Sequence, residues 1–168
     1  MKFYNIFGIS FISGGYQESK KKLDRGALMV VPSAPGLATV GKNLRYTEAV
    51  QNADIAIPDS GYMVLLIRLI KGIKINKFSG YDFLKNFFKE KFNKNDLFLI
   101  DPKNEESILN NSYLNEIGIP IEKSYQYVAP RYSDYEIADR VLLYRLNTLR
   151  EKPKYIMSNL GIGVQEPL

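Results

Sequence analysis

Two apolar runs closing at Val31 and Ile57 end in loop-forming residues, Pro32-Ser33-Ala34-Pro35-Gly36 after the first and Pro58-Asp59-Ser60-Gly61 after the second. Between them Leu37, Val40, Leu44 and Val50 recur at roughly helical spacing, which predicts one helix from Pro35 to about residue 52. Strand, helix and strand make a βαβ unit. In such a unit the loops after successive parallel strands share one sheet edge, and that edge is where α/β proteins hold their ligands. Asp59 is therefore the first candidate functional residue.

The same alternation continues along the chain. Residues 3–11 read as a strand or hairpin, 17–25 as an exposed polar helix, and 54–57 as a short strand. Ser60 is placed to cap an apolar helix over 62–71 that Gly72 ends, and 73–78 is a short extended stretch. Ser79-Gly80-Tyr81-Asp82 opens an amphipathic helix through residue 92, with Phe83, Phe87 and Phe88 on its buried side. Strands are expected at 97–100, 125–128 and 154–158, with helices at about 104–116 and 134–150; Ile137, Val141, Leu142 and Leu146 are the apolar positions of the last helix. The expected architecture is a single α/β domain over residues 1–168, Rossmann-like, with a largely parallel sheet flanked by helices.

Composition narrows the chemistry. The 168 residues include neither cysteine nor histidine, which removes Cys/His zinc sites, cysteine nucleophiles and Ser-His-Asp catalysis and leaves acid–base work to carboxylates, Lys or Tyr. The N-terminus lacks a convincing signal-peptide pattern, and the most apolar window, 62–70, is about half a membrane span and carries Arg68. A cytoplasmic location is expected. Lysines gather at 20–22, 71–77 and 85–94 within a net charge of +5. Such clusters suit a solvated surface, a phosphate-rich ligand or an anionic membrane; no nucleic-acid module accompanies them, so nucleic acid is not an expected partner.

Four pieces in this order, VVPSA, NADIAIPDSGYMV, KFSGYDF and NLGIGVQE, resemble the WecG/TagA/CpsF glycosyltransferases across nearly the whole chain. The resemblance implies transfer of a sugar, of N-acetylmannosamine or glucose type, from a UDP-sugar to a polyprenyl-diphosphate-linked acceptor in bacterial surface polysaccharide or teichoic acid synthesis. It implies no cofactor and no metal, and it places the enzyme peripherally at the inner face of the cell membrane. Members are generally longer, with a C-terminal region implied in membrane docking, so such a segment is expected to be missing after Leu168. A homo-oligomer is a further expectation.

By the same resemblance Asp59 falls on the catalytic base. Val31 and Ser33 stand where the family carries Thr and Asn, Ser60 where it carries Gly, Lys77 where it carries an Arg that handles the diphosphate, and Gly163 where it carries Pro. Asp101-Pro102-Lys103 replaces a glycine-rich turn. The implied substrate-binding set is Ser33, Lys77, Gly161, Gly163 and Gln165; apart from the resemblance, Arg131 in Ala129-Pro130-Arg131-Tyr132 and helix N-termini are further candidates for substrate binding, as sources of positive potential for the leaving group. Asp59 has a second reading from position alone, a carboxylate capping the helix that follows it. Tyr62, Tyr81 and Tyr132 lie near the expected loops, for stacking or for ordinary packing. The alternative to an enzyme is a diverged, non-catalytic nucleotide-sugar-binding domain of the same fold.

Overall fold

In the computed structural model, which describes residues 2–132, 138–161 and 164 and the side chains of all of these except Tyr62, Met63, Leu66 and Ile70, the chain opens with a hairpin. Strands β1 (Phe3–Ile6) and β2 (Ile9–Ile12) pair antiparallel across Phe7-Gly8, both at positive φ (56° and 80°), the backbone a two-residue primed turn needs. A Cβ on Gly8 would also meet Gln51 Nε2 at 2.5 Å, and that amide donates to Phe7 O at 2.8 Å. The turn is thereby tied to the helix carrying Gln51.

The chain divides into two compact units, one running to Lys89 and the other from Glu90 onward. In the first, β3 (Met29–Val30) and β4 (Ile55–Ala56) are parallel neighbours and β2 lies parallel to β4 on its other side, giving the order β1-β2-β4-β3. Helices α1 (Tyr16–Leu23), α2 (Ala34–Leu37), α3 (Leu44–Asn52), α4 (Gly61–Lys71) and α5 (Gly80–Phe87) complete it. Tyr46 and Val50 of α3 and Ile67 of α4 join Ile9, Phe11, Val30 and Ala56 in one core. Helices α1 and α5 meet through Tyr16 and Phe83, whose ring centroids are 5.3 Å apart.

Three expectations change here. The helix foreseen from Pro35 is broken between α2 and α3, because Gly41 takes φ 83° and the Asn43 side chain accepts from Tyr46 N to start a new helix. Helix α5 stops at Phe87 rather than 92, with Phe83 and Phe87 buried and Phe88 half-buried. Helix α1 is not wholly exposed: Ser19 and Lys20 are buried, and Lys20 Nζ reaches Asp24 at 2.6 Å.

The second unit has a parallel three-stranded sheet, β6 (Gln126–Val128), β5 (Leu97–Asp101) and β7 (Tyr155–Ser158), with β5 central and buried along its whole length. A turn of 3-10 helix, Lys123–Tyr125, leads into β6. Helix α6 (Asn104–Glu116) runs as foreseen; α7 (Arg140–Thr148) starts after Asp139, whose side chain accepts from Leu142 N, while Ile137 lies outside the described residues. Phe98, Ile100, Tyr125, Tyr127 and Leu142 form the core, with Leu146 packed against it. Of the apolar positions expected in this helix, Leu142 is buried in the core and the adjacent Val141 is exposed. The parallel strands flanked by helices bear out the α/β expectation, organised as two sheets rather than one continuous sheet.

Candidate active site

Because β3 and β4 run parallel, the loops that follow them leave the same edge of the first sheet. Ile57 N donates to Val30 O at 3.0 Å, carrying the pairing up to the first loop, and Asp59 N turns back on Ile57 O at 2.9 Å. A third segment joins them. Phe78 N donates to Pro58 O at 3.3 Å, and Gly80 N donates to Asp59 Oδ1 at 2.8 Å. Gly80 is the first residue of α5, so the half-buried Asp59 carboxylate sits on the positive end of that helix as well as just before α4. Among the described residues Asp59 Oδ2 accepts no hydrogen bond.

Ser79 caps α5, its Oγ accepting from Asp82 N at 2.9 Å and donating to Asp82 Oδ2 at 2.9 Å. The following Gly80 is required by space: a Cβ there would lie 2.9 Å from Val31 Cγ1. In an open helix alanine is worth about 1 kcal/mol over glycine; here the contact with Val31 reverses the sign. Gly80→Ala is expected to lower stability by about 1–3 kcal/mol, read by thermal melting, and Val31→Ala in the same chain is expected to restore most of the loss. Equal or higher stability in the single variant would contradict this.

The remaining first-unit candidates are placed unequally. Ser33 is half-buried and its Oγ accepts from Gly36 N at 3.2 Å, capping α2. Lys77 is exposed, and its Cδ would stand 3.7 Å from a Cβ on Gly61, so it flanks the residues after Asp59. Tyr81 is exposed. The side chain of Tyr62 lies outside the described residues.

In the second unit the C-terminal edge of the sheet carries Asp101, the loop with Arg131, and the segment from Asn159. Leu160 is buried in the core and Val164 packs against it, Val164 N donates to Gly161 O at 3.2 Å, and Gly161 is exposed. Gly163 and Gln165 lie outside the described residues. Arg131 is exposed, and the next residue, Tyr132, is held by its hydroxyl, which donates to Asp139 Oδ2 at 2.6 Å. The same oxygen accepts from Tyr127 Oη at 2.7 Å, and Asp139 Oδ1 accepts from Leu142 N at 2.9 Å. Burial, reinforced by Asp139, pushes the Tyr127 phenol up to about 12 and raises that of Tyr132 further. Sequence reading missed Asp139. An aspartate three residues before Leu142 is a visible capping signal, but its two phenol partners come from different segments.

These four loop segments are the pieces by which the sequence resembles a glycosyltransferase, and the family model for glycosyl transferases of the WecG/TagA/CpsF type matches residues 4–166. The chain belongs to this family. No curated protein matches it. Membership in the WecG/TagA/CpsF family supports sugar transfer as the activity. Of its family segments, the first three are joined by hydrogen bonds and packing in the first unit, and the fourth begins at the C-terminal edge of the second sheet. No helix among the described residues is long and apolar enough to cross a membrane.

Proposed function

We propose that the chain is an inverting, metal-independent glycosyltransferase that moves a sugar of N-acetylmannosamine or glucose type from a UDP-sugar to a polyprenyl-diphosphate-linked acceptor at the cytoplasmic face of the membrane. The observation that carries the reading is Asp59: an aspartate of the family segment, in the loop that follows β4 on the edge where the parallel strands β3 and β4 end, with one carboxylate oxygen held by Gly80 and the other without a hydrogen bond among the described residues. The acceptor hydroxyl attacks the anomeric carbon as its proton passes to Asp59, and the bond to the UDP oxygen breaks with its electron pair leaving on the diphosphate. Lys77 offers a charge to that leaving group, without the bidentate fork of an arginine. Ser33, Arg131, Gly161, Gly163 and Gln165 are assigned to substrate binding.

Membrane contact is supported by α4, where Leu65 and Leu69 are 52% and 71% exposed beside exposed Arg68 and Lys71. An alternative, nucleotide-sugar binding without transfer, is favoured by Ser33, whose Oγ serves as the cap of α2 by accepting from Gly36 N.

One pair of measurements separates the readings. Calorimetric titration with UDP-glucose and UDP-N-acetylmannosamine is expected to show binding, and a transfer assay on a polyprenyl-diphosphate-linked sugar to show turnover. Binding without turnover would select the alternative, and absence of binding to either donor would overturn both.

A further inference from the structure

The second unit contains a polar arrangement that the proposed chemistry does not use. Asp101 ends the central strand β5 and is fully buried (0% exposed), at the position where the family resemblance leads one to expect a glycine-rich turn. Its Oδ1 accepts two amides, Asn110 Nδ2 from α6 and Asn159 Nδ2 from the end of β7, both at 2.8 Å. Its Oδ2 is buried with no hydrogen-bond partner among the described residues. Burying a carboxylate without a cation is costly, and an orphaned oxygen adds to the cost. An apolar residue ending β5 would spare the fold this expense.

The carboxylate does impose one thing. An ionised carboxylate only accepts, so it dictates which end of an amide faces it. Asn159 must turn its Nδ2 inward and its Oδ1 outward. Its backbone is fixed too, because Asn159 N donates to Ile100 O at 2.8 Å and Leu160 is buried in the core next to it. Asn159 is exposed, and among the described residues its Oδ1 accepts nothing. The result is a rigid acceptor at the C-terminal edge of a parallel sheet, just ahead of Gly161. An amide oxygen only accepts, so its partner is a donor such as a hydroxyl or an N–H and not an ionised phosphate oxygen.

On the reading above that the chain binds a nucleotide sugar, we propose that Asn159 Oδ1 accepts a hydrogen bond from a neutral donor group of that ligand, a hydroxyl or the uracil imide N–H, and that Asp101 is the positioning residue that holds the amide in this orientation.

The test is titration of the full chain with UDP, UDP-glucose and UDP-N-acetylmannosamine, with melting followed in parallel. Asn159→Ala keeps the backbone hydrogen bond and is expected to raise Kd about tenfold. A rise for UDP itself puts the contact on the nucleoside; a rise for the sugars alone puts it on the transferred sugar. Asp101→Asn frees the amide to turn and is expected to weaken binding several-fold. Joined to Asn159→Ala it should weaken binding no further than Asn159→Ala does alone, a coupling that a purely structural aspartate would not show. Binding of all three probes by Asn159→Ala within twofold of the parent overturns this inference and leaves the proposed function standing. If the parent binds none of them, the proposed function fails and takes this inference with it. Should Asp101→Asn not fold, Asn159→Ala decides alone.

Discussion

Asp59→Asn is expected to reduce sugar transfer by about 10²–10⁴-fold, the usual contribution of a positioned general base, while melting close to the parent protein. The geometry makes this substitution unusually clean. The carbonyl of asparagine still accepts from Gly80 N at the place where Asp59 Oδ1 does, at 2.8 Å, so the start of α5 keeps its anchor. What disappears is the ability to take a proton. Asp59→Ala removes both properties: Gly80 N loses its acceptor at a helix start, at a cost of about 1–3 kcal/mol, so this variant is expected to be inactive and to melt several degrees lower. Turnover and melting of the pair therefore distinguish a base from a cap. Asparagine at 59 with turnover within a few fold of the parent would show that Asp59 is a structural carboxylate, the second reading its sequence position allowed.

The features legible in the sequence were those with local signals. Two apolar runs breaking at proline placed the loops after β3 and β4 on one edge, and the helical crossover between them is long enough for the parallel pairing. Ser79 and Asp82 announced the start of α5 by their spacing. What escaped depended on partners distant in the chain. Asp101 showed in the sequence only as a departure from a glycine-rich turn, because its burial is set by Asn110 and by Asn159, 58 residues away. The break between α2 and α3 had a local signal, Gly41 followed by Asn43, but the spacing of Leu37, Val40 and Leu44 continued a helical pattern across it. Leu44 is 70% exposed, so that pattern was a coincidence of apolar residues rather than one buried face. Lys20 reads as a solvated lysine until its position on α1 brings it beside Asp24.

Asp139→Ala is expected to destabilise the second unit by about 3–5 kcal/mol, the cost typical of breaking a buried charged network. One carboxylate there serves three donors, the hydroxyls of Tyr127 and Tyr132 and the N–H of Leu142, and alanine leaves all three without an acceptor. Asp139→Asn should cost less, because an amide oxygen can still take the Leu142 N–H and phenol hydroxyls can turn to accept from the amide nitrogen. The pH dependence of unfolding supplies an independent check. Burial alone would raise the Asp139 carboxyl, but hydrogen bonds from the Tyr132 hydroxyl, Leu142 N–H and the Tyr127 hydroxyl outweigh it and hold the group below its ordinary value of 3.8. The native state thus binds that proton more weakly than the unfolded chain, so this contribution is present above pH 3.8 and lost as the pH falls below it. The phenols act in the opposite sense. Tyr127 is raised from 10.0 to about 12, first by burial and then by Asp139, so its contribution is complete below pH 10.0 and lost as the pH climbs toward 12. Chemical denaturation across pH should show a plateau with a decline on each side. In Asp139→Asn the acid decline due to this group should vanish, while the alkaline one persists at reduced size because burial of the phenols remains. An acid limb unchanged by Asp139→Asn would assign it to other carboxylates and remove Asp139 as the group that ties the Arg131 loop to the second core.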